Sequence, residues 1–272
     1  MSVPPVALTI AGSDSGGSAG LEADLRTFTT CGVHGCVAVT AVTVQDTKRV
    51  SGVVEVPPDV VAAQVRVVCT DIDVRAVKTG VLASAATIEA VAAVCDEVGI
   101  GRGRRRPFVV DPVAASMHGE PLLAETALDA LRTELFPRAT LVTPNLDEVR
   151  LLVGVDVRDR AQQYEAARAL HALGPEWVLV KGGHMRDDPQ CVDVLFDGDR
   201  FVELAGPRVD TVHTHGAGDT LASATTADLA RGAALPDAVA AGKRFVERAV
   251  AHAYPLGAGV GPVSPFWRIP PL

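Results

Sequence analysis

Short apolar runs alternate with amphipathic helical patterns along most of this chain, and that alternation restricts the fold more than any single residue does. Residues 6–10, 36–44, 76–79, 108–110, 141–143 and 177–180 read as strands. Between them, residues 20–31, 58–70, 87–98, 126–135 and 161–173 carry helical spacing. The strands are continuous apolar runs, as buried parallel strands are, rather than half-polar alternations. Strand and helix in repeated succession predict an α/β fold, with a central, mostly parallel sheet and helices on both faces. Hydrophobic residues make up 48% of the 272 residues and aromatics only 4%, so Ala, Val and Leu must fill the core. We read residues 1–272 as one domain.

Two segments depart from this rhythm. Residues 192–196 and 200–204 flank Asp197-Gly198-Asp199, which predicts a small β-hairpin near residues 192–204. Residues 101–106, Gly-Arg-Gly-Arg-Arg-Arg, form a basic run that reads as a solvated loop rather than an anion contact. The Pro-rich end, residues 262–272, reads as surface packing. A formal net charge of -8 argues against nucleic acid or an anionic membrane as the partner. The five cysteines are odd in number and form no CxxC pair, which points to a reducing, cytoplasmic setting. No stretch has the roughly 18 apolar residues of a membrane span, and the N-terminal residues Met1-Ser2-Val3-Pro4-Pro5 lack a basic leader.

The strongest local signal is His215-Gly216-Ala217-Gly218-Asp219, where small residues run into an Ala-rich helix. Free N–H groups and the positive end of a helix dipole make such a loop an anion site. Asp219 in the first turn is either a helix cap or a general base for an attacking hydroxyl. Lys181-Gly182-Gly183-His184 follows a strand, where a lysine can line a triphosphate or merely close a turn. Asp111 ends another strand, and Asn145 with Glu148 opens a helix. Those three suit a loosely held Mg²⁺, while Asn145 and Glu148 also form a capping box. The loop after the first strand, residues 11–20, matches neither the G-x-G-x-x-G spacing nor a Walker loop, and reads as one wall of a small-molecule pocket.

In this order and spacing, the segments resemble the ribokinase-like superfamily and, more closely, the hydroxymethylpyrimidine/phosphomethylpyrimidine kinases of thiamine biosynthesis. The resemblance is carried by residues 8–17, 23–25, 32–35, 40–47, 77–82, 111–113, 143–148, 181–184 and 214–221. It implies ATP and Mg²⁺ as cofactors, a small pyrimidine as substrate, and a homodimer. It places Gly12, Asp24, Val42, Gln45, Gly80 and Val81 around the aminopyrimidine. Lys181, Gly183, His184, Thr214 and Lys243 would lie along ATP, with Asp111 and Glu148 organising Mg²⁺. Asp219 would be the catalytic base, and the backbone of Gly216, Ala217, Gly218 and Asp219 the anion hole. The resemblance implies two successive phosphorylations, of the hydroxymethyl group and then of the monophosphate. One departure stands out: the pyrimidine kinases usually carry Cys where this chain has Asp219, the residue of the sugar kinases. A pyridoxal-type vitamin kinase on the same fold is the alternative function, and a non-catalytic pyrimidine-binding relative a more distant one.

Overall fold

A computed structural model describes residues 3–114, 123–185 and 188–269. Nine strands form one sheet: β1 (Val6–Ser13), β2 (His34–Gln45), β3 (Val50–Glu55), β4 (Val74–Thr79), β5 (Phe108–Val110), β6 (Leu141–Val142), β7 (Trp177–Val180), β8 (Gln190–Phe196) and β9 (Phe201–Pro207). Their order is β3-β2-β1-β4-β5-β6-β7-β8-β9. All pairings from β2 to β7 are parallel, and the antiparallel pairs β2–β3, β7–β8 and β8–β9 finish the two edges. The mostly parallel sheet read from the sequence is therefore the sheet found.

Side chains of each central strand alternate between two cores. Leu8, Ile10, Phe108, Val110, Val142, Val178 and Val180 face one core. It is closed by α2 (Pro58–Asp71), α3 (Ala85–Val98), α4 (Glu125–Ala130), α5 (Leu146–Val153) and α6 (Arg160–His171). Ala7, Ala76, Val109, Leu141 and Leu179 face the other, under α1 (Gly20–Thr30), α7 (Ala217–Ala230) and α8 (Leu235–Ala251). The helix α7 is buried from Thr220 to Ala227 on every side. Its Ala, Ser and Thr side chains are small enough to let it lie on β1, β4 and β5 between its two neighbours. A Cβ on Gly242 of α8 would run into Thr225, so this glycine lets α8 close against α7. The start of α7 is thereby held over the middle of the sheet's carboxyl edge. Next to it, β1 is flanked by β2 on one side and β4 on the other, the switch point where open α/β sheets bind ligands.

Several sequence expectations need correction. Residues 50–55 were not expected to be a strand, yet they pair with β2 as β3. Their side chains are almost all exposed, so the segment lacks the apolar continuity that marks a buried strand. The 192–204 hairpin is found as β8 and β9, and it extends the main sheet at its β7 edge. The helix expected over 126–135 stops at Ala130, widens to a π-helical turn at Leu131–Leu135 and tightens to a 3₁₀ turn at Phe136–Arg138, where Pro137 cannot donate. In the basic run, Arg104 and Arg105 pair with Asp96 and Asp73 at the surface. Arg106 is buried instead, donating to the carbonyls of Val74, Val98 and Cys69. The first two residues and the last three of the Pro-rich end lie outside the described residues. All five cysteines are free, and no described helix is long and apolar enough to cross a membrane.

Phe28 of α1 is fully buried in the core under α7 and α8. Phe28→Ala is expected to lower unfolding free energy by about 3–5 kcal/mol in a urea titration, from lost transfer energy and the cavity left behind.

Candidate active site at the start of α7

Gly216 takes a left-handed conformation, φ 76°, and a Cβ there would strike the carbonyl of Ser18. Only glycine satisfies both the angle and the contact. The loop 14–20 is consequently seated against the loop that begins α7. Asp14 shapes that first loop by accepting the N–H groups of Gly16, Ser18 and Ala19 at 2.8–2.9 Å. The carboxylate of Glu22 accepts from Ser13 Oγ and Asp14 N at 2.7 and 2.8 Å.

Two lysines converge on the first turn of α7 from different strands. The Nζ of Lys181, directly after β7, lies 3.2 Å from where a Cβ of Gly218 would stand, and 3.0 Å from Asp111 Oδ1. Thr143 Oγ1 donates to the same Asp111 oxygen at 3.0 Å, while Asp111 Oδ2 faces Gly218. The second lysine, Lys78, rises from β4 and is fully buried. Its ammonium bonds both oxygens of Asp24 at 2.8 and 2.9 Å and lies 3.8 Å from Asp219 Oδ1. Burial opposes the charge of each lysine, but the neighbouring carboxylates hold both ammoniums above their usual range.

Asp219 keeps only 15% of its side chain exposed. Burial pushes its carboxyl up to about 7, with Lys78 and Lys181 pulling the other way and Asp24 and Asp111 adding to the rise. Burial likewise raises Glu148 to about 7. Both roles read for Asn145 and Glu148 are structurally compatible, because the capping box is formed with bonds of 2.8 and 2.9 Å while Glu148 faces the charges of Lys181 and Asp111. Among the described residues, no group of three His, Cys, Asp or Glu side chains is placed to hold a metal by itself.

The remaining expected residues divide into three groups. Gly12 and Val81 sit side by side, since a Cβ on Gly12 would lie 3.8 Å from that of Val81. Gly80 adjoins Asp219 Oδ1, and Val42 lies exposed on β2. Gln45 reaches His215, Nε2 to Nε2 at 3.3 Å. Burial lowers the His215 imidazole below its usual range, with Asp14 opposing. Gly183 and His184 follow Lys181 in the turn, where His184 Nδ1 is 2.9 Å from Asp147, and Thr214 is exposed. Two residues are placed otherwise than expected. Asp24 has no free edge: Thr9, Lys78 and Ser223 occupy its oxygens in a fully buried position, so it presents nothing to a ligand. The ammonium of Lys243 is engaged by Asp193, by the Cys191 carbonyl and by Cys191 Sγ at 3.0–3.3 Å. Its link to the site is indirect, through Asp193, which accepts Gly182 N–H at 2.8 Å. Lys78 was not singled out from the sequence, although a lysine within the apolar strand 74–79 announces a buried partner.

The raised Asp219 makes a pH prediction. Between about pH 4 and pH 7 the folded chain keeps a proton on Asp219 that the unfolded chain releases, so this group's contribution to stability falls as pH rises through that window. Relative to the parent, Asp219→Asn is expected to gain about 3 kcal/mol between pH 4.5 and pH 8. Urea unfolding of both proteins at the two pH values measures it.

Comparisons with known proteins show the family. The family model described as phosphomethylpyrimidine kinase matches residues 14–264. A hydroxymethylpyrimidine/phosphomethylpyrimidine kinase from Mycobacterium tuberculosis is 56% identical over 266 residues, 98% of this chain and 95% of the relative. A thiamine biosynthesis bifunctional protein from Geobacter sulfurreducens is 48% identical across 94% of this chain, which spans 51% of that relative. Among solved structures, an ADP complex of the pyridoxal kinase of Bacillus subtilis superposes with a TM-score of 0.89 at 37% identity, covering 97% of this chain and 98% of that one. With a family match over nearly its whole length and the kinase-like loop intact at α7, the chain belongs to the phosphomethylpyrimidine kinase family.

Proposed function

We propose that this enzyme phosphorylates 4-amino-5-hydroxymethyl-2-methylpyrimidine with ATP, and then phosphorylates the monophosphate, in thiamine diphosphate biosynthesis. The observation that carries the reading is the largely buried Asp219 beside Lys78, one residue from Gly218 where Lys181 meets the helix start. The N–H groups of Gly216, Gly218 and Asp219, which donate to no acceptor among the described residues, form with the Lys181 ammonium a ready anion site for the transferring phosphoryl group, while the Ala217 N–H is taken by the Thr214 carbonyl at 3.2 Å. Asp219, with a carboxyl near neutrality, accepts the hydroxyl proton as the new O–P bond forms and the β–γ bond breaks. Gly12, Gly80, Val81 and Gln45, with His215, supply the surface for the pyrimidine ring. The Gly183–His184 turn and Thr214 lie toward the nucleotide, and Lys243 supports that turn through Asp193.

The donors present fit Mg²⁺. Asp111 Oδ2 accepts no hydrogen bond among the described residues, and Glu148 is a buried hard oxygen ligand close enough to share the field of Lys181. Those two carboxylates would hold an ion that takes most of its ligands from water and phosphates, and its charge would neutralise the phosphate oxygens. A cytoplasmic setting is consistent with five unpaired thiols, and a homodimer would cover the exposed Val44, Val50, Val53 and Val54 of the β2–β3 edge.

Asp219→Asn is expected to lower kcat for the hydroxymethyl substrate by roughly two to four decades, leaving KM for ATP within a factor of about three. The second phosphorylation should suffer less, because a phosphate acceptor near pH 7 is already ionised and has no hydroxyl proton to give up. Coupled assays with each acceptor measure both, and turnover retained within a few-fold on the first acceptor removes Asp219 from the role. The likeness to solved pyridoxal kinases favours a second reading, pyridoxal as the acceptor. Side-by-side kcat/KM values for pyridoxal and the hydroxymethylpyrimidine decide between them.

A further inference from the structure

Among the described residues, Lys78 is the one buried cation at the site that the reaction itself leaves unassigned. Its Nζ carries three protons. Two point at Asp24 Oδ1 and Oδ2, at 2.8 and 2.9 Å, and the next carboxylate within reach is Asp219, 3.8 Å away. Asp24 is fixed in turn by Thr9 Oγ1 and Ser223 Oγ, each at 2.6 Å. Ser223 belongs to α7 itself, one turn after Asp219 and on the same side, so the chain Thr9–Asp24–Lys78 ties β1, α1 and β4 to the helix that bears Asp219. No part of Asp24 or Lys78 is exposed, so this lattice is shielded from solvent and its charges act on Asp219 with little screening.

We propose that Lys78 is a positioning residue, clamped by Asp24, whose ammonium, held 3.8 Å from Asp219 Oδ1, acts on that carboxylate through its charge and governs its ionisation. The inference rests on the reading of Asp219 as the base only for its consequence in catalysis. The charged groups facing Asp219 are Lys78 from β4, Asp24 from α1, Asp111 after β5 and Lys181 after β7. Two positive and two negative neighbours leave burial as the dominant influence, and Asp219 is consequently poised near neutrality. Among the described residues neither Lys78 nor Asp24 makes a hydrogen bond to Asp111 or Glu148, so altering the pair breaks no bond of the carboxylates assigned to the ion, although the charge of Asp111 reaches Lys78. Removing Asp24 leaves two cations against one anion and favours the ionised Asp219. Removing Lys78 leaves one cation against two anions and favours the protonated form.

The test is the titration of the Asp219 carboxyl carbon, followed by NMR in the metal-free protein and assigned by its loss in Asp219→Asn. Asp24→Asn, isosteric and neutral, is expected to shift the midpoint down by about one unit, and Lys78→Met to shift it up by about one unit or more. Opposite shifts establish the clamp; a merely structural pair would lower stability in both variants without moving the midpoint in opposite senses. Should Lys78→Met not fold, Asp24→Asn decides alone, and an unchanged or raised midpoint overturns the inference. The acid limb of kcat/KM is read in the same variants. If the NMR midpoint moves and the limb does not, the clamp stands and Asp219 is not the base. If neither moves, the clamp is wrong whatever the base.

Discussion

The site depends on how closely α7 lies on the sheet. A helix buried on all sides needs small side chains, and those of α7 let its axis sit near β1, β4 and β5, with α8 locked on by Gly242. That approach brings the helix's free N–H groups to the strand ends where Lys78, Asp111 and Lys181 emerge. The strand ends are themselves stiff: Gly80 N donates to Ile10 O, Thr143 N to Val110 O and Lys181 N to Pro144 O, at 2.9–3.0 Å. A bulky residue on α7 would lift the helix and separate the anion site from its lysines at once. Packing and electrostatics here are the same constraint seen twice.

The charge arrangement also bears on how a carboxylate is tolerated at position 219. An isolated carboxylate would repel an incoming phosphomonoester. Here Lys78 and Lys181 flank it, and burial holds its proton affinity high enough that the charge is partial near neutral pH. The aspartate is thus matched to its surroundings, and Asp24, placed first as a ligand contact, belongs to that matching instead.

The central sheet was legible because its strands are uninterrupted apolar runs separated by helical spacing, and the order of the loops 11–20, 111–113, 143–148, 181–184 and 214–221 followed from their positions at strand ends. Edge structure was harder. The strand β3 is polar-flanked and exposed, so its existence depends on backbone pairing with β2 and not on its own side chains. Roles that depend on who partners whom were harder still. Nothing local distinguishes an aspartate that meets a ligand from one that meets a buried lysine 54 positions away, as Asp24 meets Lys78. The same holds for Lys243, whose partners lie about 50 positions earlier on β8.

On the proposed function, the contact between Ser18 and Gly216 ties the loop 14–20, read as a wall of the acceptor pocket, to the loop before α7, read as the phosphate site. Because Gly216 admits no larger side chain there, the two loops share a seam with no slack in it. Substrate preference and phosphoryl chemistry are then not separately adjustable modules. A sequence change in residues 14–20 that reshapes the pocket also tilts the start of α7, and drift toward a new acceptor must proceed through substitutions that keep this seam closed.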